Sequence, residues 1–225
     1  MKGYGQYCPI AKGAEVFAER WTPLVVRNLY LGAQTFSEIL EGVPRMSRSL
    51  LAERLRTLER QGVVSRQTAE SGRGGRYRLT QAGQELADVC LALGAWGARW
   101  LEVTHEDRDP FVVLWAWKHF VQHDRLPAHR VVVRFALTDR PRERFWLLLS
   151  RDEVEVCVKP PGLDEDLVVT TDCETLIRVH MGRLSLSEAE RGGAWLTEGQ
   201  ADLVRAFPTW GGLSYFAEVA PARAS

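Results

Sequence analysis

Two hydrophobic periods divide this chain, and no single sheet or helix bundle accommodates both. From Pro9 to Trp100 the apolar residues recur at three- and four-residue steps, the signature of amphipathic helices. From Val131 to Val158 they alternate every second residue and are rich in β-branched and aromatic types, the signature of half-buried strands. A length of 225 residues suits two domains of roughly 100 residues each.

In the first half, Pro9 to Arg20 reads as a short helix, and Thr22-Pro23 restarts the chain with Thr22 as cap and Pro23 at the first helical position. Thr35 to Glu41 reads as a third helix with Phe36, Ile39 and Leu40 inward, broken by Gly42-Val43-Pro44. Ser47 caps a fourth helix to about Gln61, and Gly62 supplies a left-handed stop. A strand from Val63 to Gln67, a glycine-rich tip and a return strand Tyr77 to Leu79 make a hairpin. Thr80 then caps a long helix to about Trp100. Short helices followed by a basic hairpin form the plan of a winged helix-turn-helix.

Charge supports that plan. The net charge is zero, which taken alone argues against a general nucleic-acid binder. Residues 1–103, however, carry 14 basic against 10 acidic side chains, and residues 104–225 carry 15 against 19. Nine arginines and three acids fall within residues 45–78, the electrostatic footprint that a nucleic-acid surface needs. On the fourth helix Leu51, Leu55 and Leu58 share one face, and Ser49, Ala52, Glu53, Arg56 and Arg60 occupy the other. A recognition helix touches base edges with its first turns, so the expected DNA contacts are Ser47, Arg48, Ser49, Ala52, Arg56 and Arg60, joined by Arg73 and Arg76 of the wing. An arginine-rich outer face by itself is better explained as solvated surface. The tight turn before it and the basic wing after it favour DNA.

Several motifs together resemble the HxlR family: Cys8-Pro9-Ile10, Trp21-Thr22-Pro23-Leu24, Phe36-Ser37-Glu38-Ile39, the run from Ser47 to Arg60, Gly62-Val63-Val64, and Tyr77-Arg78-Leu79-Thr80-Gln81-Ala82-Gly83. The resemblance spans about residues 7–101. It implies a dimeric winged-helix repressor or activator of bacteria, on a palindromic double-stranded operator, with the Ser47 helix as reader. Three departures stand out: Ala18-Glu19-Arg20 replaces the family's Gly-Gly-Lys, Arg45-Met46 replaces Gly-Ile, and the wing is shorter and richer in glycine and arginine. They bear on which operator is read, not on whether DNA is bound. In some members a thiol at the position of Cys8 senses oxidants or electrophiles. A helix N-terminus, with Lys12 one turn on, would favour a thiolate there; a half-buried structural cysteine is the equal alternative. Leu86, Val89, Leu93, Trp96 and Trp100 step by three and four residues, which suits a homodimer seam over packing within the subunit.

Thr104 to Asp109 is polar and reads as a linker. Asp109 and Pro110 open a helix to about His123. Strands follow at Val131 to Leu137, Phe145 to Leu149, Val154 to Val158 and Leu167 to Thr170. Helices are expected at 172–180, 185–191 and 200–207, with a fifth strand at 194–197. The fold class expected is therefore α+β in two domains: 1–103 winged helix-turn-helix, 104–109 linker, and 110–225 an α/β sheet-and-helix domain. Residues 110–219 resemble the sterol-carrier-protein fold through Pro160-Pro161-Gly162 with Asp166-Leu167, Thr170-Thr171-Asp172 with Thr175-Leu176, and Gly182-Arg183-Leu184-Ser185. That resemblance implies a pocket for an apolar molecule. The residues expected to line it are Phe111, Trp115, Phe120, Val133, Phe135, Val154 and Val156, which would otherwise simply fill the core. Tryptophans 115, 117, 146, 195 and 210 add aromatic bulk.

Other chemistry finds little support. His119 and His123 have a metal-compatible spacing, but no third ligand is evident and Phe120 stands where a metalloprotease helix needs glutamate. Asp164-Glu165-Asp166 reads as a solvated loop. Four cysteines form no CxxC pair, no nucleotide-binding glycine motif occurs, and nothing assembles a catalytic set. No enzyme activity, cofactor or metal is expected. Without a secretory leader or a membrane-spanning apolar run, the sequence suits the cytoplasm. The expectation is a ligand-responsive DNA-binding regulator; the rival is an apolar-ligand carrier whose winged domain serves association.

Overall fold

The computed structural model describes residues 3–68, 75–102 and 104–222, with Thr68 described by its backbone alone. Two compact units, Met1–Gly97 and Ala98–Ser225, make up the chain.

The first unit runs α1 (Pro9–Phe17), α2 (Thr22–Tyr30), α3 (Phe36–Glu41), α4 (Arg48–Arg60), β1 (Val64–Thr68), β2 (Gly75–Leu79) and most of α5 (Gln81–Trp100). β1 and β2 pair antiparallel, so a winged helix-turn-helix is present in the expected order. Its core is Val25, Val26, Ile39, Leu51, Leu55 and Leu58, each at most 1% exposed. Burying side chains of this size stabilises by roughly 1.5–3 kcal/mol apiece.

Local caps set most boundaries. Thr35 and Glu38 form a reciprocal capping box at α3. Ser47 Oγ accepts from the Leu50 amide at the start of α4, and Gly62, at φ 71°, stops the chain behind it. Between these helices, buried Asn28 donates to the Ile39 carbonyl at 2.8 Å and accepts from Arg27. Arg27 donates onward to the Gly42 carbonyl at 2.8 Å. The end of α3 and the turn into α4 are thereby tied to α2.

Two expectations at α1 and α2 are corrected. α1 stops at Phe17, and Thr22 is the first residue of α2 instead of its cap. The cap is Trp21, in the left-handed region at φ 77°. The Thr22 amide closes a tight turn onto Glu19, its hydroxyl is buried with no hydrogen-bond partner among the described residues, and Arg20 lies over the Trp21 ring.

The second unit contains a 3₁₀ turn (His105–Asp107), α6 (Pro110–Lys118), a second 3₁₀ turn (His123–Arg125), β3 (Val131–Leu137), β4 (Arg144–Leu149), β5 (Val154–Cys157), β6 (Leu167–Thr171), α7 (Cys173–His180), α8 (Leu186–Arg191), β7 (Trp195–Gly199) and α9 (Ala201–Ala206). The sheet order is β5-β4-β3-β6-β7. Only β3 with β6 is parallel among these pairs; the rest are antiparallel. One sheet face contributes Val131, Val133, Phe135, Leu147, Leu149, Leu167 and Val169 to a core shared with Leu114, Leu176 and Trp210. Val132, Trp146 and Leu148 form a smaller buried cluster. Trp146 donates to Glu165, which also pairs with Arg134, so Glu165 belongs to a bonded set and not to a solvated charge run.

Three further expectations change here. α6 ends at Lys118, because the next amides turn inward: Phe120 donates to Trp117 O, and Gln122 donates to Trp210 O at 2.7 Å. His119 and His123 are consequently not neighbours on one helix, and no metal-holding cluster occurs among the described residues. β5 closes at Cys157, leaving Val158 58% exposed. The polar stretch 104–109 is folded: Thr104 Oγ1 donates to Asp107, Arg108 pairs with Glu174, and Arg140 donates to the Arg108 carbonyl.

Gly83 fixes how α5 leaves the wing. A Cβ there would lie 2.2 Å from the Val63 carbonyl oxygen and 3.1 Å from Leu79. Alanine in a helix gains about 1 kcal/mol over glycine, but overpacking against backbone costs about 1–3 kcal/mol. Gly83→Ala should therefore lower stability, read as faster amide hydrogen exchange across residues 48–68 with residues 131–171 unchanged.

Candidate functional site

Two surfaces invite chemistry, one in each unit. On α4 the buried stripe Leu51, Leu55, Leu58 leaves Arg48, Ser49, Arg56 and Arg60 exposed, with Ser47 exposed at the cap and Ala52 half-buried. Arg48 lies over the Phe36 ring, 5.1 Å from its centre. Arg56 donates to the Ala52 carbonyl and Arg60 to Thr57, bonds on the helix itself that leave both guanidinium groups outward. Arg54 is different: it pairs with Glu19 and is largely buried, so it braces α4 against the chain before α2. Arg76 of β2 donates to Gln34 at 3.0 Å. Arg73 lies outside the described residues. Sequence reasoning passed over Arg45 and Arg78, which are also exposed; their place in the arginine-rich stretch was the available signal.

α5 presents two stripes. Gly83 and Ala87 are buried, with Cys90 and Leu86 partly buried against the first unit's core. Val89, Leu93, Trp96 and Trp100 are 47–61% exposed. Of the five residues expected at a seam, Leu86 thus packs inward and four face out. Cys8 is half-buried at the N-cap of α1. Lys12, the cation expected to assist it, is engaged by Glu15 at 3.0 Å. Cys90 is no reactive thiol: burial pushes it up to about 11, a rise partly offset by Arg27.

In the second unit a cavity of about 510 Å³ opens between α6, the sheet, α7 and the segment after α9. Trp117, Phe135, Trp195, Phe207 and His180 are among its walls. Trp117 stacks with Phe207 at 6.2 Å, and Phe135 meets Trp195 edge-on at 6.3 Å. Gly211 permits the closure, since a Cβ there would sit 2.5 Å from the Trp117 ring. Among the seven residues expected to line a pocket, Phe135 does so. Trp115 and Val133 are at most 1% exposed and fill the core, while Phe111, Val154 and Val156 pack against that core and the Phe120 ring lies tilted against His180, 6.0 Å between centres. The alternation correctly marks the buried sheet face, but it does not say where α7 and the C-terminal segment leave space.

A family model described as HxlR-like helix-turn-helix matches residues 16–105. The chain is 35% identical over 104 residues to YvaP, an uncharacterized HTH-type transcriptional regulator of Bacillus subtilis, covering 45% of this chain and 96% of YvaP. The chain belongs to the HxlR family. It is also 35% identical to the HTH-type transcriptional regulator YodB of Bacillus subtilis over 97 residues, 42% of this chain and 87% of that one. The solved reduced form of YodB shares 34% identity and covers 44% of this chain and 99% of that chain, with a TM-score of 0.38. The first unit of this HxlR protein is accordingly a DNA-binding, transcription-regulating domain, and the second is a mixed α/β sheet domain. No described helix is long and apolar enough to cross a membrane.

His180 supplies a titration to follow. It is buried, and burial alone pushes it from 6.5 down to about 4, so the folded unit holds it neutral. A depressed group contributes stability that is complete above its unfolded value and is lost as pH falls toward the folded one. Between pH 7 and pH 5 the second unit should lose roughly 2 kcal/mol from this residue. Urea unfolding of His180→Gln and the parent at both pH values should differ in pH dependence by that amount.

Proposed function

We propose that this HxlR protein is a dimeric, cytoplasmic regulator that reads a palindromic operator with α4 and answers to an apolar small molecule held by its C-terminal domain, which we take to be of sterol-carrier type. The observation that carries the reading is the pairing, in one chain, of an outward arginine face on a helix-turn-helix with a separate unit holding an aromatic-walled cavity. Small residues at Ser49 and Ala52 let α4 approach the groove floor. Arg48, Arg56, Arg60, Arg73 and Arg76 supply phosphate and base-edge donors. A carrier whose winged domain served association alone would have no need of that arginine set. Cys8 is the thiol this reading leaves available to an oxidant or electrophile.

Ligand coupling requires unequal affinity of the effector for the DNA-competent and DNA-incompetent arrangements. The polar segment 104–109 and the end of α5 are where domain 1–103 hands over to domain 110–225, and they are the place to look for that coupling.

Arg56→Ala combined with Arg73→Ala should weaken binding to DNA from beside the protein's own gene. It should also shallow the log–log salt dependence by about 0.9 for each phosphate left unneutralised. Fluorescence anisotropy at several salt concentrations reads both. Unchanged affinity and slope would remove the two arginines from the interface.

The outward stripe of α5 is the proposed dimer seam, which would set two α4 helices about one DNA turn, ~34 Å, apart. Leu93→Glu with Trp100→Glu should convert the dimer to a folded monomer in sedimentation. A folded, still dimeric variant would place the seam elsewhere.

A further inference from the structure

The cavity of the second unit is apolar on most sides, yet a buried polar group in its wall is left without a hydrogen-bond partner among the described residues. His180 is 8% exposed and lines the cavity, and its Nδ1 is buried with no hydrogen bond among the described residues. Several other polar side chains of the wall are engaged, among them Trp195, which donates to Thr197. Arg183 donates to the carbonyls of Ala217 and Val219. Ser185 and Glu188 close a capping box on each other. A buried imidazole with an unmet donor or acceptor is a cost that folding ordinarily avoids, and a half-turn about its Cβ–Cγ bond lets either nitrogen serve. It shares the cavity wall with four aromatic rings: Trp117 over Phe207, and Trp195 edge-on to Phe135.

We propose that this cavity takes a neutral, flat aromatic molecule carrying one hydroxyl or amide N–H, with that group hydrogen-bonded to His180. The rings select a planar apolar body, because offset and edge-on aromatic contacts reward a third ring placed among them. The imidazole selects the substituent. His180 stays uncharged at neutral pH, Arg183 already serves two backbone carbonyls, and Glu188 brings a negative charge to the same wall, so a carboxylate is disfavoured there. Pockets that hold drug-sized ligands span roughly 300–1,000 Å³, and the cavity, at about 510 Å³, accommodates two fused rings with a substituent. The inference rests on the ligand-sensing reading above and adds the class of ligand and the residue that discriminates it.

Isothermal titration of the 225-residue chain with 2-naphthol, 2-methoxynaphthalene, naphthalene and 2-naphthoate tests it. The expected result is one 2-naphthol per chain, bound roughly tenfold tighter than naphthalene or the methoxy ether, with 2-naphthoate weakest. His180→Leu should bind naphthalene and 2-naphthol alike, and His180→Gln should restore part of the preference. Equal binding of 2-naphthol, its ether and naphthalene by the parent protein overturns the proposal, and needs no variant to fold. So does a preference that survives in His180→Leu, or no binding by any of the four. Repeating the DNA titration with 2-naphthol present separates the two readings. Binding that leaves DNA affinity unchanged defeats the sensor and keeps the ligand assignment. Release of DNA by naphthalene and 2-naphthol equally keeps the sensor and defeats the role of His180.

Discussion

A buried amide holds the DNA-reading half together. Asn28 is wholly enclosed, and in an apolar interior its side chain is tolerable only because each end is bonded. One end grips the last turn of α3 through Ile39, and the other receives Arg27, which in turn holds the Gly42 carbonyl. Burial lowers Arg27 to about 10, so it remains charged at physiological pH and its bonds are charge-assisted. The polar pair thus does what leucine packing cannot: it specifies direction. α4 leaves a turn whose carbonyl is pinned, and its outward face follows.

What the sequence discloses depends on whether a boundary is set locally or from a distance. Ser47 and Asp109 each cap the helix expected of them, because the bond runs only two or three residues along the chain. The period-two runs fall on the sheet for the same reason, each residue's face being decided by its immediate neighbours. Trp21 escaped that reasoning. Its left-handed backbone arises where α1 and α2 meet and Arg20 covers its ring, and Thr22-Pro23 gives a misleading local signal. The short α6 escaped it too, since Trp210, far along the chain, takes the Gln122 amide.

The α4 face was readable because a solvent-facing surface is the complement of a buried stripe. The cavity was less so. Alternation named the sheet face that is apolar, yet whether a side chain fills space or borders it depends on helices that arrive much later in the chain. Leu176 and His180 sit one helical turn apart on α7, and that spacing was the one clue in the sequence that a histidine faced the apolar interior. Phe135, on the central strand β3, borders the cavity, whereas Val133, two residues away on the same face, is sealed.

The two edges of the C-terminal sheet have a bearing on how copies of this protein meet. An open β-edge offers unpaired amides and carbonyls to any extended chain, and proteins blunt such edges with short strands and charges. β5 is four residues long with Glu155 exposed in its middle, and Pro160-Pro161 follows soon after. β7 carries exposed Glu198 and ends at Gly199, whose φ of 144° bends the backbone away from strand geometry. Both borders therefore discourage sheet-to-sheet recruitment, so self-association through extended backbone is disfavoured. Fibrillar stacking is the hazard this arrangement averts in a chain whose inner strands are among its most apolar segments.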